Sequence, residues 1–525
     1  MSDPEPHADY SFDAWLADRS PDWYGDDGLL HRLLDRYAPG TDTGRLARFG
    51  PRAAGELRVL AERSSLPSEA PWLRHRDAHD HRVDGVVLPE STDEALRIAH
   101  GDEGLGAVRG DRFVHYAMVY LLAQNGEAGV ACSIACTDGL VRALRADLAE
   151  PGADRPADIG DVHSAPGGDP RRRALHGVLD SGPDGYAHGA QFVTEIQGGS
   201  DVPANRVRAV PAPDGPPGDY RIHGQKWFCS NINADWFLVT ARPDTGPGAG
   251  EVALFLVEAR VDGRPNGYTI DRLKDKLGTR ELATAEVTFD GARARMVGPP
   301  DRGVAFLLRH VLTPSRFACV LFSAGALRRA ERLVTGYAGF REAFGRAIVE
   351  YPLVRRDLDA ITEARRQTLA VSFELLRLWE AAEAAGWQGT EARDFRVLLS
   401  LAKPVLTRLA TERLHDAMMV LAGNGIVEDF SPLPRLYRDS VIMETWEGPH
   451  NVLFTQALRD LARFEAVPEV FLERVAGRPR ADLAARLSEA MAAALEPGAV
   501  EDGTTMMADL APEMVAAVAD GVLKG

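Results

Sequence analysis

The feature that most constrains the fold is a change of hydrophobic period near the middle of the chain. Between residues 206 and 289, apolar and polar residues alternate in short runs, and loops rich in proline and glycine separate several of these runs. Such alternation is typical of half-buried strands. The sequence therefore predicts strands at 206–210, 220–230, 236–242, 252–258, 268–273 and 285–289.

Helical patterns lie on both sides of this β region. Apolar residues at three- and four-residue spacing predict N-terminal helices at 29–37, 53–63 and 91–100, and a buried helical pair within 116–144 that is broken near Gly126. Longer stripes after the strands predict helices at 316–344, 352–385, 390–421, 450–463, 469–475 and 481–495. This order predicts an α+β, mainly α, protein with a β-barrel domain inserted between helical regions.

The same patterns divide the chain into four expected parts. We predict an N-terminal helical domain (1–188), a middle β domain (189–303), a C-terminal helical bundle (304–465) and an acidic helical tail (466–525). Residues 151–189 are dense in proline, glycine and aspartate, so we expect loops around one short helix there.

Composition excludes several classes of protein. The 525 residues carry 60 basic and 77 acidic side chains, and the net charge of −17 opposes binding to a phosphate backbone. Because the chain has no uncharged apolar run of membrane-spanning length and no apolar segment near its start, we expect neither a membrane anchor nor a signal peptide. Four scattered cysteines fit reduced thiols in a cytoplasmic protein.

A glycine-rich loop precedes the predicted strands. In residues 191–201, Gly198 and Gly199 expose backbone N–H groups, and Thr194 and Ser200 add hydroxyl donors. Such a loop can hold a ring edge and a pyrophosphate. A glycine-rich turn that only opens the β domain is an equally good interpretation of this segment alone.

One predicted strand joins aromatic side chains to a hydroxyl. Residues 223–231 contain Trp227, Phe228 and Ser230, which would offer a flat heterocycle an apolar face and a hydrogen bond. For an isolated Trp-Phe pair, burial in the core of a barrel is the commoner outcome.

A single carboxylate stands at a helix-to-loop junction. Glu447 follows Trp446 and precedes Gly448, and a glycine there lets the backbone bend and approach a ligand closely. A carboxylate on such a turn, beside an aromatic ring, is partly desolvated, which raises its pKa toward that of a general base. Without further context, a solvated acid at a helix end is the default interpretation.

Taken together, these segments resemble the acyl-CoA dehydrogenase family. The loop at 191–201 and the strand at 223–231 are followed, in the family's order, by 273–278, 341–345, 422–425 and 446–448. The similarity runs from about residue 85 to 465 and looks closest to the branch that contains the adaptive-response (alkylation-resistance) flavoprotein. It implies an acyl-CoA dehydrogenase-like fold: an N-terminal helical domain, a middle β-barrel domain and a C-terminal helical bundle.

The resemblance implies bound FAD and assigns residues to it. Thr194 and Ser230 would hydrogen-bond the isoalloxazine, with Ser230 near N5, and Phe228 would pack on the ring system. Ser200 and the backbone around Gly199 would serve the pyrophosphate or the pantetheine arm of a substrate. The full set assigned to the cofactor is Phe192, Val193, Thr194, Gly199, Ser200, Phe228, Cys229, Ser230, Arg341, Phe344, Gly423, Asn424, Trp446, Gly448 and Asn451.

The resemblance also implies partners for the chain. Arg341 and Phe344 look like residues that reach the FAD of a neighbouring subunit, which implies a homodimer or homotetramer. The implied substrate is an acyl thioester, carried by CoA or a carrier protein, and an electron-transfer flavoprotein is the candidate electron acceptor.

The implied chemistry centres on Glu447, which matches the family's catalytic base. This base removes an α-proton from the thioester while a hydride leaves the β-carbon for flavin N5. Some relatives carry the base just before the arginine that Arg316 matches. Here that position is Ser315, which cannot act as a carboxylate base. Arg316 resembles the arginine that helps to set the charge state of the base.

Departures from the family pattern leave other functions open. Met419, Ala422 and Pro449 predict altered contacts around the dinucleotide. A DNA-associated protective flavoprotein, as in the nearest branch, and an O2-using oxidase or hydroxylase are the alternatives. The acidic excess in residues 464–525 opposes DNA binding, so we do not expect a nucleic-acid partner.

Two further clusters are weaker candidates. His75, His79 and His81 lie close together in a charged stretch, and we expect a solvated surface loop rather than a metal site. Cys132 and Cys136 lie one helical turn apart on an apolar helix, so we expect core packing rather than redox chemistry.

Overall fold

The N-terminal region is helical, and it packs against the long helices near the C-terminus. The computed structural model describes residues 11–17, 21–149, 168–183, 185–213, 215–246, 248–495 and 500–524. The N-terminal helices are α1 (Asp13–Ala17), α2 (Gly28–Tyr37), α3 (Gly44–Ala54), α4 (Glu56–Ser64), α5 (Glu90–Leu96), α6 (Arg112–Ala123), α7 (Ala131–Leu148) and α8 (Pro170–Leu179). Asp27 caps α2, because its carboxylate accepts the N–H of Leu30 at 3.0 Å. The buried pair predicted within 116–144 is confirmed as α6 and α7.

The charged stretch with three histidines is a hairpin: the prediction of a surface loop is confirmed for His79 and His81, which lie exposed in the connecting turn, and is wrong for His75, which lies on a strand. Strands β1 (Trp72–Arg76) and β2 (Arg82–Val87) pair antiparallel. The strand at His75 was missed because β1 is mostly exposed and carries charged side chains without clear alternation. His75 Nδ1 lies 3.1 Å from Asp84 Oδ1, and within the described ranges no group of three His, Cys, Asp or Glu side chains could hold a metal.

The middle region is a closed antiparallel barrel with two parallel pairs. Its strands are β3 (Gly189–Phe192), β4 (Arg208–Pro211), β5 (Asp219–Ser230), β6 (Trp236–Pro243), β7 (Ala253–Glu258), β10 (Tyr268–Leu273) and β11 (Thr284–Val297). A separate two-stranded hairpin, β8 (Arg260–Val261) and β9 (Arg264–Pro265), lies between β7 and β10 in the chain. The order is β10-β11-β5-β4-β6-β3, and β7 closes the ring by pairing with both β11 and β6. Inward-facing residues such as Phe192, Phe237 and Phe255 form its core.

The last strand is longer than the sequence indicates. Residues 285–289 were expected as a strand, but β11 continues to Val297. Asp290 and Gly291 form a β-bulge against β5, with Gly291 at φ +81°, instead of the turn that an Asp-Gly pair typically predicts. The bulge keeps the strand in the sheet and bends it.

The C-terminal region is a bundle built on three long helices. Its elements are α9 (Gly303–Leu307), α10 (Thr313–Phe340), β12 (Glu342–Ala343), β13 (Arg346–Ala347), α11 (Pro352–Ala384), α12 (Gly389–Val420), α13 (Leu433–Thr445) and α14 (His450–Arg463). The prediction of helix to residue 344 is wrong at its end. Phe344 and Gly345 adopt φ +52° and +82°, so the chain turns into the β12–β13 hairpin.

The acidic tail belongs to the main core. Helices α15 (Pro468–Ala476), α16 (Ala481–Leu495) and α17 (Val500–Lys524) pack on α11, α12 and α14. Helix α17 was not predicted, because Gly503 and Pro512 interrupt its pattern. A Cβ at Gly503 would lie 2.7 Å from the Ala490 carbonyl, so this glycine lets α16 and α17 approach closely.

Within the described residues, one helical stretch, Gly303–Phe340, is long and apolar enough to cross a membrane by length and composition alone. In the fold it is the central helix of the bundle, and 61% of its apolar window is buried inside the protein. A core helix of a folded bundle passes the same length and composition test.

Candidate active site

Glu447 lies on a tight turn between α13 and α14. Its backbone has φ +57°, a left-handed conformation that is uncommon for a residue other than glycine, and Gly448 follows at φ +110°. Two buried cations hold the turn. Arg316 Nε donates to the carbonyl of Glu447 at 2.9 Å, and Lys403 Nζ donates to the carbonyls of Glu444 and Gly448 at 2.8 and 3.0 Å. These contacts fix the strained turn from the side of the bundle.

The Glu447 carboxylate faces the edge of the barrel. Gln191 Nε2 donates to Glu447 Oε1 at 2.9 Å and to Ser315 Oγ at 3.1 Å. Burial raises the pKa of Glu447 to about 7, against the opposing charges of Arg316 and Lys403 and the hydrogen bond from Gln191. A carboxyl group with that pKa can accept and release a proton near neutral pH, as a general base requires.

The glycine-rich loop is held by a buried ion pair. Lys226 Nζ donates to Glu195 Oε1 at 2.7 Å, and both side chains are almost fully inaccessible. The N–H of Trp227 donates to the Thr194 carbonyl at 2.9 Å and ties the loop to β5. A Cβ at Gly199 would lie 2.6 Å from Thr194 Oγ1, so the loop needs glycine to close over this hydroxyl.

The end of β5 presents an aromatic face and a hydroxyl. Phe228 is 49% exposed, although large apolar side chains are usually buried. Ser230 Oγ lies 3.1 Å from Thr284 Oγ1 and is only partly buried. Lys274 Nζ lies 4.5 Å from the Phe228 ring centroid. Ser200, in the glycine-rich loop, is exposed. An exposed ring beside hydroxyl groups suits a flat polar heterocycle.

Three residues assigned to the cofactor face inward or act through their backbone. Phe192 and Cys229 are fully buried in the barrel core, because strand alternation turns them inward. The Val193 carbonyl accepts a hydrogen bond from Lys226 Nζ at 3.1 Å. Any contact of Phe192 or Cys229 with a ligand at the barrel rim would therefore come from backbone atoms.

A second group of predicted residues lies far from Glu447. Arg341 follows the last residue of α10, and its 25-residue separation from Arg316 corresponds to about 37 Å of helix. Phe344 is 98% exposed on the β12–β13 hairpin. Asn424, on the 3-10 turn Ala422–Ile426 that also contains Gly423, donates to the Tyr337 hydroxyl at 3.2 Å near the same end of α10. Within one chain, the structure does not bring this group to the Glu447 turn.

The remaining predicted residues flank the turn. Trp446 packs against Cys132, Cys136 and Leu282 between α7 and the barrel, which agrees with the expectation that these cysteines pack in the core. Gly448 forms the turn itself. Asn451 is exposed in the first turn of α14 and lines an open groove of about 580 Å³.

A cavity of about 780 Å³ opens on the other side of Arg316. It lies between the start of α9, the start of α12 and the end of α14. Its walls include Trp387 and Phe395, two acids (Glu251 and Asp301) and a larger group of arginines, of which Arg396 also pairs with Asp460: Arg302, Arg309, Arg393, Arg396 and Arg463. In a chain of net charge −17, this concentration of positive charge suits an anionic ligand.

Sequence reasoning missed Gln191 and Lys403 as parts of the site. Gln191 begins the glycine-rich segment but lies more than 250 positions from Glu447, so only the folded chain reveals their contact. Lys403 had a usable signal: it is a single cation within an apolar helical run, 398–406, and such a lysine is buried only if it is paired. The structure pairs it with two carbonyl groups.

The fold and this site define an oxidoreductase of the acyl-CoA dehydrogenase type. The family model for the acyl-CoA dehydrogenase middle domain matches residues 190–292, and that for the C-terminal domain matches residues 301–462. The chain belongs to the acyl-CoA dehydrogenase family, so the resemblance predicted from its motifs and the predicted fold are confirmed.

Full-length relatives support the same conclusion. Acyl-CoA dehydrogenase family member 11 of Caenorhabditis elegans is 30% identical over 469 residues, which are 86% of this chain and 72% of that protein. The acyl-CoA dehydrogenase-like protein AidB of Escherichia coli (strain K12) is 31% identical over 476 residues, covering 87% of this chain and 82% of AidB.

Solved structures are similar over almost the whole chain. The apo form of Bd2924 has a TM-score of 0.83 at 28% identity and covers 95% of this chain and 97% of its own. ACDH-11 of Caenorhabditis elegans, in complex with C11-CoA, has a TM-score of 0.80 at 25% identity, and the match covers 95% of this chain and 86% of ACDH-11.

Proposed function

We propose that this protein is an FAD-dependent enzyme that introduces an α,β double bond into an acyl thioester, with Glu447 as the base. One observation carries the proposal: a half-buried carboxylate, with a pKa of about 7, on a turn that two buried cations hold. A base whose pKa lies near the working pH combines a usable ionised fraction with a useful affinity for the proton.

The described residues fit FAD. The exposed Phe228 face, the Ser230 hydroxyl and the closed Thr194–Gly199 loop together offer a stacking surface and hydrogen bonds at the barrel rim. When bound, FAD would supply the acceptor for the hydride that leaves the β-carbon. Glu195 and Lys226 would keep the loop in the shape that receives it.

The side chains around Glu447 suit the transfer of the α-proton. In the ionised form, Glu447 is stabilised by the charges of Arg316 and Lys403. In the protonated form, the neutral carboxyl group avoids the desolvation cost that burial imposes on the ionised form. Because both forms are tolerated, Glu447 can take the proton from the α-carbon and later release it to solvent.

The arginine-lined cavity would receive the carrier of the acyl group. Phosphate groups of CoA carry the negative charge that Arg302, Arg309, Arg393, Arg396 and Arg463 would bind. The similar ACDH-11 of Caenorhabditis elegans holds C11-CoA. We therefore propose an acyl-CoA substrate, although a carrier protein with an acidic surface would meet the same arginines.

The separation of the predicted cofactor residues supports an oligomer. Arg341 lies about 37 Å along α10 from Arg316, and Phe344 lies beyond it on the β12–β13 hairpin, so both would serve the FAD of a neighbouring subunit. We propose a homodimer or homotetramer in the cytoplasm, with an electron-transfer flavoprotein as the electron acceptor.

The test is an anaerobic titration of the purified flavoprotein with acyl-CoAs of increasing chain length. We expect the flavin absorbance to bleach with at least one of them, and Glu447→Gln to bind the same thioester without bleaching. Stopped-flow reoxidation with air and with an electron-transfer flavoprotein would then separate an oxidase from a dehydrogenase. Flavin that dithionite reduces but no thioester reduces would contradict the proposal.

A further inference from the structure

Among the described residues, Gln191 is the side chain that donates a hydrogen bond to the Glu447 carboxylate. Its Nε2 atom carries two hydrogens and has two acceptors, Glu447 Oε1 at 2.9 Å and Ser315 Oγ at 3.1 Å. The three residues come from three separate elements: the barrel edge, the start of α10 and the turn after α13. One amide therefore joins the barrel to the base across the interface between barrel and bundle.

The fold fixes where this amide lies. On β3, which pairs parallel with β6, Ala190 and Phe192 turn into the barrel core, so Gln191 between them points outward to the helices. Its Oε1 atom lies 3.6 Å from where a Cβ at Gly139 would stand, in the packed contact between α7 and the π-helical turn before α10. The amide oxygen therefore lies beside α7 at Gly139.

The orientation of the amide is matched to an ionised base. Only the N–H side can serve a carboxylate anion, because the opposite orientation would place the amide oxygen against the carboxylate oxygen. In the part of the chain that the structure describes, Gln191 Oε1 is buried without a hydrogen-bond partner. The amide therefore makes two hydrogen bonds as a donor and none as an acceptor. Since a buried unsatisfied oxygen costs free energy, this orientation indicates that the two donated bonds determine the position of the amide.

We propose that Gln191 is the positioning residue of Glu447: its amide orients the carboxylate and favours its ionised form, and Ser315 holds the amide in place. This inference deepens the proposed function and rests on Glu447 acting as the base. Other charged or titratable groups also face Glu447: Arg316 and Cys319 from α10, Lys403 from α12 and Cys132 from α7. None of these donates to the carboxylate oxygens among the described contacts.

The first test follows the protonation of Glu447 without turnover. Infrared difference spectra of the substrate-free protein would track the carboxyl C=O band that Glu447→Gln removes. Loss of one charge-assisted hydrogen bond in Gln191→Leu should raise the midpoint of this band by about one pH unit. Ser315→Ala, which keeps the donor but removes its second partner, should raise it by less.

A matched control is available on the outer surface of the barrel. Gln225 also donates from Nε2 to a carboxylate, Asp271, at 3.3 Å, away from the site. Gln225→Leu should leave the midpoint of the Glu447 band and the turnover unchanged. An equal shift in Gln191→Leu and Gln225→Leu would overturn the inference, as would a wild-type midpoint in Gln191→Leu.

The second test uses turnover. In Gln191→Leu, kcat should fall about ten- to hundred-fold with KM changed less than about two-fold, because the base is misplaced while the thioester contacts remain. The acidic limb of the pH profile should move upward with the infrared midpoint. If no thioester reduces the wild-type flavin, the proposed function fails, and the infrared result still decides the role of Gln191.

Discussion

Two carboxylates near the barrel rim, Glu195 and Glu447, experience opposite surroundings. Glu195 receives hydrogen bonds from Lys226 Nζ, Gln197 Nε2 and two backbone N–H groups, at 2.6 to 3.1 Å. Among the described residues, Glu447 receives one side-chain hydrogen bond on its carboxylate, from Gln191. Burial alone would raise the pKa of both. For Glu195 the charge of Lys226 and the hydrogen bonds outweigh burial and lower the pKa, whereas the pKa of Glu447 rises to about 7.

The difference shows how the same chemical group is given two tasks. A carboxylate that accepts hydrogen bonds on both oxygens stays ionised, so Glu195 and Lys226 form a permanent buried ion pair that supports the glycine-rich loop. An under-satisfied carboxylate can change its charge, which is what proton transfer requires. The charge of Lys226 together with the larger number of hydrogen-bond donors separates the structural acid from the proposed catalytic acid.

The largest expected effect, on kcat, comes from replacing Glu447, the carboxylate that changes its charge. Glu447→Gln keeps the size and the contact with Gln191 but cannot accept a proton, so kcat with an acyl-CoA should fall by about 10³- to 10⁴-fold. Anaerobic stopped-flow measurement of flavin reduction checks this. Thermal unfolding near neutral pH serves as the folding control. Residual turnover within about tenfold of the wild type would show that another group is the base.

Breaking the ion pair between Glu195 and Lys226 should lower the stability of the fold instead of the turnover. Lys226→Met leaves the Glu195 carboxylate buried and unpaired, which typically costs about 3–5 kcal/mol. Denaturant unfolding of the single variant, and of Lys226→Met combined with Glu195→Gln, measures this cost and its coupling. The double variant should recover part of the loss, since no uncompensated charge remains.

A surface pair supplies the control for this experiment. Arg208 and Asp244 also form an ion pair, but the Arg208 side chain is 63% exposed. Arg208→Met should therefore change the unfolding free energy by less than about 1 kcal/mol. If Lys226→Met loses no more unfolding free energy than Arg208→Met, the structural role of the buried Glu195–Lys226 pair is contradicted.

Much of this arrangement follows from local sequence. Strands such as β5 and β10 were predicted because each alternates over its first half. Helices α11, α12 and α14 were predicted within about one residue at each end because their apolar stripes are long. The Glu447–Gly448 turn was recognised from two adjacent residues, and the structure gives it the left-handed backbone that such a turn needs.

The rest could not be predicted because it depends on contacts between distant residues or on overridden local signals. Gln191 and Lys403 gain their roles only when the barrel edge and α12 meet the turn. The bulge at Gly291 and the long helix through Pro512 show tertiary packing overriding a turn signal and a helix breaker. The assignments of Arg341 and Phe344 to a neighbour's FAD stay predictions.

Lys403 should give an intermediate effect on the base. Its Nζ holds the carbonyls on both sides of Glu447, and its charge opposes the raised pKa of that residue. Lys403→Met should lower kcat about tenfold and move the acidic limb of the kcat/KM profile upward. The pH dependence of kcat/KM measures both. An unchanged profile would mean that Arg316 alone sustains the turn and its charge.

The smallest expected effect is a difference in how stability depends on pH. The folded-state pKa of Glu447, about 7, lies above its ordinary value of 4.5, so the folded protein binds this proton more tightly between those values. Its contribution to stability is complete below about pH 4.5 and is lost as the pH rises through about 7. Glu195 has the opposite sign: its contribution to stability is present above its ordinary pKa and is lost as the pH falls through its lowered value.

The unfolding free energy of Glu447→Gln should therefore rise relative to that of the wild type as the pH rises from about 5 to 8, by on the order of 1 kcal/mol. Thermal unfolding of both proteins across that range checks this, and a gain at the acidic end instead would reverse the assigned roles of the two carboxylates.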